Sequence, residues 1–296
     1  MLTRYWWAVV RRLDRPGRRG LLTLPGSIWV SLTYRAPCLV YWRDGAWVHH
    51  YRGAKIPHAS FGRAAPPRVF TAQAREMFLY EYVPRPGDVV FDIGAGVGAE
   101  MLLFSRLVGP SGRVVSVEAH PRTYGRLADL RKANGLRNVT PLQLAVSHTD
   151  GTVAISDLDH HLRNAVLEAH ADGIEVPARR IDTLAAELDV DRIDLLKMNI
   201  EGAERQAIQG MGTVLANTRH VCISCHDFLA DDGGPEELRT KAFVRDFLIE
   251  RGFRVITRDD APDPWTRDYV YAVNTRATAV NTRRCRPMSF DSETAS

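Results

Sequence analysis

Two hydrophobic patterns follow each other along the chain. In residues 1–67, runs such as SIWVSLTYR and CLVYWRDGAWVHHYR alternate apolar and polar positions and predict strands. The Asp44-Gly45 pair inside the second run is typical of a two-residue hairpin turn. The proline-rich stretch 64–68 then breaks the pattern. We therefore predict that residues 1–67 form a terminal helix followed by a small, aromatic-rich β-hairpin region.

From residue 68 to about residue 275, short apolar runs alternate with segments of helical spacing. VVFDIG, RVVSVEA, VTPLQLAV, IDLLKMNI and HVCISCH predict strands, and stretches such as PRTYGRLADLRKAN predict the helices between them. This alternation indicates an α/β domain with a doubly wound, Rossmann-like parallel sheet. GFRVITR and DYVYAVNT predict an antiparallel pair at the sheet edge, and the polar residues 276–296 predict a flexible tail.

Charge, the length of apolar runs and the cysteines indicate which partners and which compartment to expect. The net charge of +4 is mild and spread along the chain, with its densest basic cluster at Arg11 to Arg19, so we expect no nucleic-acid partner. No apolar run approaches the roughly 20 residues that span a bilayer, and a Trp-rich helix flanked by arginines allows only weak peripheral membrane contact. The opening is a poor signal peptide, and four cysteines without one indicate a reducing cytoplasm.

The stretch RPGDVVFDIGAGVGAE, residues 85–100, predicts a strand, a glycine-rich turn and the start of a helix. Gly94, Gly96 and Gly98 let the backbone turn sharply and let a ligand lie against it. Glu118 ends the next strand, 20 residues after Gly98, where an acid can accept both hydroxyls of a ribose. The pattern therefore predicts a nucleoside-binding site.

Two cofactors fit this loop. GAGVGA also satisfies the dinucleotide pattern, so an NAD-dependent oxidoreductase remains open. Asp92, two residues before the first glycine, favours S-adenosylmethionine, because a carboxylate repels a pyrophosphate but attracts a cationic sulfonium and an ammonium group. The predicted antiparallel edge pair is also typical of a methyltransferase sheet.

Three segments in a fixed order carry a family resemblance: VVFDIGAGVGAEMLLFSRLVGPSGRVVSVEAHP, NVTPLQLAVSHTDGTV and IDLLKMNIEGAE. Over roughly residues 76–230 the chain resembles the FkbM-type S-adenosylmethionine-dependent methyltransferases. The resemblance implies a class I methyltransferase fold. It also implies methyl transfer to a hydroxyl oxygen of a sugar, glycolipid or other natural product, which makes a small-molecule or glycosylated acceptor the expected partner.

The same resemblance implies which residues contact the cofactor. The methionine end would lie against the glycine loop, the ribose against the acid that follows the second strand, and the adenine between two alanines. The residues so assigned are Gly94, Ala95 and Gly96 for the methionine end, Glu118 for the ribose, and Ala119 and Ala145 for the adenine.

One position departs from the family pattern. Where relatives usually have K-[IM]-D-[VI]-E-G-A-E, this chain has KMNIEGAE, with Asn199 in place of the aspartate. An amide donates and accepts hydrogen bonds, but it cannot act as a base and is a poor ligand for a hard cation. A scaffold that binds the cofactor without turnover is therefore a further alternative, and we predict no metal site.

Four polar residues follow two of the predicted parallel strands. Asn199 and Glu201 follow IDLLK, and His226 and Asp227 follow HVCISC, so all four are expected at one edge of the sheet. If the strand stays extended, Asn199 and Glu201 point to one face. His226 suits the removal of a proton from an acceptor hydroxyl, because its unperturbed pKa is about 6.5. Asp227 is predicted to orient His226 or to bind the acceptor.

Three further features of the sequence have predicted roles. CISCH spells a haem or metal motif, but Cys222 and Cys225 lie three apart on a predicted strand and so point to opposite faces, which indicates two buried, reduced cysteines. The loop 156–164, with His160, His161 and Asn164, is a candidate lid over the acceptor. The aromatic N-terminal region is a candidate for acceptor selection or homodimer formation.

Overall fold

The structure is a computed structural model, and it describes residues 2–155, 173–231 and 233–276. The candidate lid over 156–164 lies outside the described residues, as does the predicted tail beyond residue 276.

The N-terminal region consists of two helices and a three-stranded antiparallel sheet. Helices α1 (Leu2–Leu13) and α2 (Thr23–Tyr34) precede strands β1 (Cys38–Arg43), β2 (Ala46–Tyr51) and β3 (Ala54–His58), which pair in the order β1-β2-β3. The hairpin at Asp44-Gly45 is present, and both turn residues have positive φ, 48° and 81°.

The strand predicted for SIWVSLTYR is wrong, because these residues form most of α2. Its buried residues, Gly26 and Val30, are four apart and therefore lie on one face of a helix. Gly26 fits closely against Phe61, since a Cβ on the glycine would lie 2.8 Å from the ring. A short apolar run fits the residue period of a strand as well as that of a helix, and here the packing of Gly26 against Phe61 favours the helix.

Helix α2 also covers the edge of the small sheet. Strand β1 is an edge strand, and the backbone N–H groups of Val40 and Cys38 donate to the hydroxyl oxygens of Ser27 and Ser31 at 2.8 and 2.9 Å. The helix thus satisfies main-chain donors that an exposed edge would leave free.

A seven-stranded mixed sheet forms the main domain, in the order β12-β13-β11-β10-β4-β5-β6. Five strands are parallel, and β13 pairs antiparallel with both β11 and β12, so the predicted α/β fold with an antiparallel edge pair is confirmed. The strands are β4 (Val89–Ile93), β5 (Arg113–Glu118), β6 (Val139–Gln143), β10 (Ile193–Asn199), β11 (Thr218–Ser224), β12 (Phe253–Thr257) and β13 (Tyr269–Asn274).

Helices connect these strands, and a second small sheet follows β6. The helices are α3 (Pro67–Met77), α4 (Ala99–Val108), α5 (Pro121–Asn134), α6 (Ile181–Glu187), α7 (Glu204–Gln209), α8 (Phe228–Asp231) and α9 (Lys241–Glu250). The small sheet has the order β7-β9-β8 and consists of β7 (Ala145–Val146), β8 (Gly151–Ile155) and β9 (Ile174–Arg179). The single strand predicted for VTPLQLAV is therefore divided between β6 and β7.

Side chains of the large sheet alternate between two hydrophobic cores. Phe91 and Leu196 belong to one core, and Val90 and Leu195 belong to the other. Cys222 lies in the second core and Cys225 in the first, so the two cysteines of CISCH point to opposite faces. The order of the strands reverses between β4 and β10, and ligands of open α/β sheets bind at the carboxyl ends of strands at such a point.

Candidate active site

The glycine loop connects the end of β4 to α4, and its three glycines have different surroundings. Gly94, Gly96 and Gly98 all have positive φ, 70°, 55° and 88°. A Cβ on Gly94 would lie 1.9 Å from the carbonyl oxygen of Asn199, so the loop presses against the end of β10. A Cβ on Gly98 would lie 2.7 Å from Leu127 Cδ1, so Gly98 lets α4 pack against α5.

Gly96 is the glycine that faces open space, because no heavy atom lies within 4 Å of the position of a Cβ there. Its N–H donates to Glu118 Oε2 at 2.9 Å, and the N–H of His120 donates to Glu118 Oε1 at 2.9 Å. The two amides fix the carboxylate at the end of β5. Burial raises the pKa of Glu118, which these two hydrogen bonds oppose.

A cleft of about 740 Å³, including its open mouth, lies beside this loop. Five of the predicted cofactor residues line it, whereas Asp92, Ala95 and Gly98 are not among its lining residues in the described part of the chain. The five are Gly94, Gly96, Glu118, Ala119 and Ala145. Sequence reasoning missed the apolar wall and His120. The wall residues are Ile93, Val117, Leu144, Val146, Ile155, Ile200 and Ala203.

Asp92 is not among the described residues that line the cleft. Asp92 is fully buried in β4 and faces Lys197 on the neighbouring strand β10, with the Lys197 Nζ 2.8 Å from Asp92 Oδ1. Lys197 Nζ also donates to the Gly94 carbonyl at 2.8 Å. Burial would lower the pKa of Lys197, but the charges of Asp92 and Glu100 outweigh it, and the pKa is raised. The Asp92 charge is thus compensated inside the protein, beneath the loop.

The four candidate catalytic residues lie at the expected edge, but Glu201 is not in an extended strand. Strand β10 ends at Asn199, and Glu201 has a φ of 53° in the turn that follows. Asn199 and Glu201 both line the cleft, together with Ile200 between them. The predicted common face of an extended strand is therefore replaced by a turn that presents consecutive residues to the cleft.

His226 lies between two glutamates. Its Nδ1 is 2.7 Å from Glu204 Oε1, and its Nε2 is 3.5 Å from Glu201 Oε1. Glu204 is fully buried and also accepts the N–H of Gly202 at 3.0 Å and the hydroxyl of Thr240 at 3.0 Å. Glu204 was missed because no local sequence motif links the start of α7 to the end of β11, where His226 lies. The sequence did offer one signal for Glu204, because the EGAE motif places a second carboxylate three residues after Glu201.

The protonation of this cluster follows from its burial and its charges. Burial would lower the pKa of His226, but the hydrogen bond that His226 donates to Glu204 and the charges of Glu204 and Glu201 outweigh it, and the pKa is raised. Burial raises the pKa of Glu201, and Glu204 adds to this while His226 opposes it. The imidazole is therefore stabilised in its charged form, and Glu201 is the carboxylate of the cluster that reaches the cleft.

Asp227 does not take the orienting role predicted for it, because Glu204 occupies Nδ1 of His226. Asp227 Oδ1 accepts the backbone N–H groups of Thr240 and Lys241 at 2.8 and 3.0 Å. These groups begin α9, so Asp227 caps that helix from outside it. Within residues 2–155, 173–231 and 233–276, no three His, Cys, Asp or Glu side chains are grouped as they would be around a metal ion.

The residues at the cleft fit S-adenosylmethionine. The open space at Gly96 admits a ligand directly against the main chain. Each carboxylate oxygen of Glu118 accepts one hydrogen bond from a backbone N–H. Each oxygen therefore keeps a lone pair that can accept a hydroxyl of a ribose. Ala119, Ala145 and the apolar wall provide a surface suited to an adenine ring.

The model of the Methyltransferase FkbM domain matches residues 92–255, which is more than half of the chain. The chain belongs to the FkbM methyltransferase family. This membership decides between the two cofactors that the glycine loop allowed: the protein is an S-adenosylmethionine-dependent methyltransferase, and the NAD alternative is wrong.

Curated relatives of this FkbM methyltransferase include 31-O-demethyl-FK506 methyltransferase FkbM of Streptomyces tacrolimicus, which is 28% identical over 70% of this chain and 88% of its own length. The 2-O-methyltransferase NoeI of Sinorhizobium fredii is 24% identical over 48% of this chain and 65% of its own length. A part of AMB antimetabolite synthetase AmbE of Pseudomonas aeruginosa is 30% identical over 47% of this chain. The matched segment spans only 6% of AmbE, so most of that protein has no counterpart here.

Solved structures that align with this chain include the following two. The FkbM methyltransferase of Methylobacillus flagellatus aligns with a TM-score of 0.46 at 15% identity, over 70% of this chain and 50% of that one. Aeropyrum pernix fibrillarin, solved with natively bound S-adenosylmethionine, aligns with a TM-score of 0.44 at 16% identity, over 80% of this chain and all of that one.

Proposed function

We propose that this FkbM methyltransferase transfers a methyl group to a hydroxyl oxygen of a small or glycosylated acceptor. The observation that carries the proposal is the line of Glu201, His226 and Glu204 at the end of the cleft next to the glycine loop. A hydroxyl must lose a proton when it is methylated, and this line provides a proton acceptor with a charge-compensating partner. The relative NoeI is named as a 2-O-methyltransferase, and the relative FkbM is named as a methyltransferase of 31-O-demethyl-FK506.

Cofactor binding is assigned to the residues that line the cleft. Gly96 and Glu118 would hold the ribose side, Ala119 and Ala145 the adenine, and Gly94 the methionine side. When bound, S-adenosylmethionine supplies an activated methyl group. The protein's own contribution is then to position the acceptor hydroxyl, exclude water and accept one proton.

Glu201 is the proton acceptor in this proposal. It lines the cleft, whereas His226 is 5% exposed and lies behind it. The raised pKa of His226 favours an imidazolium, and a cation next to Glu201 keeps that carboxylate available for the hydroxyl proton. Glu204 holds the imidazole through Nδ1. The base predicted from the sequence, His226, thus becomes a positioning residue for Glu201.

Asn199 has a positioning role in the same proposal. It lines the cleft between the glycine loop and Glu201, and its amide can donate to and accept from an acceptor hydroxyl. The loss of the family aspartate at this position does not remove the carboxylate of the cleft, since Glu201 remains. This supports a catalyst over a scaffold that only binds the cofactor.

The test has two stages. Isothermal titration with S-adenosylhomocysteine should give binding that is lost in Glu118→Ala and kept in Glu201→Gln. Radiolabelled methyl transfer to a panel of sugars, glycolipids and polyketide alcohols should then identify an acceptor. On it, Glu201→Gln should lower kcat by about 10²- to 10⁴-fold, and the exposed control Glu250→Gln should not.

Three results would contradict the proposal. Binding without transfer to any acceptor class would favour the scaffold. Transfer to nitrogen or carbon acceptors alone would overturn the O-methyl assignment. A fully active Glu201→Gln variant would remove Glu201 as the base.

A further inference from the structure

Helix α2 presents an apolar row to solvent. Leu24, Ile28 and Leu32 are 70, 52 and 74% exposed, and Leu21, in the turn that precedes the helix, is 64% exposed. Residues four apart lie next to each other on a helix, so these side chains form one continuous strip. The helix contains no charged residue, although its outer face is in water. We call these four residues the α2 strip.

The strip is not needed for the fold of the N-terminal region. Helix α2 contacts the rest of the N-terminal region through its other faces. Gly26 and Val30 are buried, and Trp29 packs against Trp6 and Trp7 of α1. Single exposed apolar side chains are ordinary on proteins, but a contiguous row on an uncharged helix marks a surface that contacts another molecule.

Arginines lie at both ends of α2 and contact it from the segment that follows the small sheet. Arg18 directly precedes the turn that holds Leu21, and Arg35 caps α2 after Leu32. Arg63 lies over the ring of Trp29 at 5.6 Å, and Arg68 donates to the Tyr34 carbonyl, so both reach α2 from the following segment. All four arginines are exposed.

The charge of the whole chain is segregated, contrary to the even spread that its small net value suggested. Residues 1–67 contain eleven Lys and Arg against two Asp and Glu, a net charge of +9. The rest of the chain contains 28 against 33, a net charge of −5. One of the two acids, Asp14, is bound by Arg19 at 2.8 Å. The α2 strip therefore lies in a strongly basic region.

We propose that the α2 strip with its arginines docks this protein onto an anionic lipid surface. Leucine and isoleucine side chains enter the boundary between headgroups and acyl chains, and arginines bind the lipid phosphates. No helix in the described ranges is both long and apolar enough to cross a membrane. The proposal does not depend on the acceptor or on the type of methyl transfer.

A second copy of the chain fits the surface less well. A twofold interface through the strip would bring the arginines of one copy near those of the other, and like charges at an interface oppose association. An anionic surface instead offers apolar and negative groups together. A homodimer through α2 is thus an outcome that the test must distinguish.

The experiment is flotation of the full-length protein with vesicles in the presence of sucrose. Vesicles of phosphatidylcholine alone should bind little, whereas vesicles with about a third phosphatidylglycerol should carry the protein, and added salt should release it. Ile28→Gln should weaken partitioning about tenfold. Its control is Ile249→Gln, on α9, because Ile28 and Ile249 are 52 and 53% exposed on helices.

A second matched pair of variants tests whether the arginines next to the α2 strip contribute to lipid binding. Arg18→Gln should weaken partitioning about fivefold, and Arg245→Gln, an exposed arginine of α9, should not. Binding of S-adenosylhomocysteine by each variant reports that it is folded. Absence of binding to the anionic vesicles overturns the proposal. So does a dimer in solution that Ile28→Gln dissociates, because a second copy then covers the strip.

Discussion

The glycine loop and the end of β10 touch through their main chains: the position of a Cβ on Gly94 lies 1.9 Å from the carbonyl oxygen of Asn199. The loop that borders the cofactor site and the end of the strand that leads to Glu201 are therefore in direct main-chain contact, which leaves no room for a side chain at Gly94. The contact separates two glycines that look equivalent in the sequence, because Gly96 has no neighbour within 4 Å of its Cβ position.

Gly94→Ala and Gly96→Ala should consequently fail in different ways. Gly94→Ala forces two backbones apart and should lower the free energy of unfolding by about 3 kcal/mol or more. Gly96→Ala meets no atom of the protein and should cost only about 1 kcal/mol for its positive φ, but its methyl group occupies the cleft. Urea denaturation and S-adenosylhomocysteine titration measure the two effects. Equal stability of the two variants would contradict this distinction.

Lys197 and Asp92 form a fully buried ion pair at 2.8 Å, and removal of one partner leaves a buried charge. Lys197→Met should therefore lower the free energy of unfolding by about 3–5 kcal/mol. The double variant Lys197→Met/Asp92→Asn should be more stable than Lys197→Met alone, because neither charge of the pair remains. Chemical denaturation of wild type, Lys197→Met and the double variant measures both differences. A cost below about 1 kcal/mol for Lys197→Met would mean that the pair does not hold the loop.

Stability should depend on pH through His226. Its pKa is raised in the folded protein, so the imidazolium is favoured by folding. This stabilisation is complete below the unfolded pKa of about 6.5 and is lost as pH rises through the folded pKa, by about 1.4 kcal/mol per unit of difference. Glu201 contributes with the same sign from a lower pH, since burial raises its pKa. Denaturation of wild type and His226→Gln across this window measures the effect; parallel curves would refute it.

Asp227→Ala should affect stability rather than chemistry. The substitution removes the oxygen that accepts two N–H groups at the start of α9, and such a loss costs about 0.5–2 kcal/mol. The thermal midpoint should fall, while kcat at a temperature well below it stays within about twofold of wild type. A large fall in kcat at unchanged stability would instead restore the acceptor-binding role predicted from the sequence.

Local spacing was enough to predict the parts of the site that lie within one strand–turn–helix unit. The glycine loop and Glu118 belong to one strand–helix–strand unit with a recurrent residue spacing, and both line the cleft. Lys197 and Glu204 depend on register and on contacts between distant segments. Lys197 faces Asp92 only because β10 pairs with β4 in that register. Asp92 was consequently placed beside the cofactor, although its charge is compensated inside the sheet.

The N-terminal region was harder for a different reason. SIWVSLTYR has apolar residues at both strand and helix spacing, and the contact of Gly26 with Phe61 decides between them. An average over the whole chain also concealed its charge. The net +4 is the difference between a basic N-terminal region and an acidic main domain.

The two serines that bind the edge of β1 limit how α2 can meet a bilayer. If lipid pulled the helix away, the amides of Val40 and Cys38 would lose Ser27 and Ser31 and become an open template for strand addition. A surface that drew α2 out would thus promote aggregation of the protein it recruits. We therefore expect α2 to contact lipid while it stays hydrogen-bonded to β1, and not to leave the small sheet and insert into the membrane.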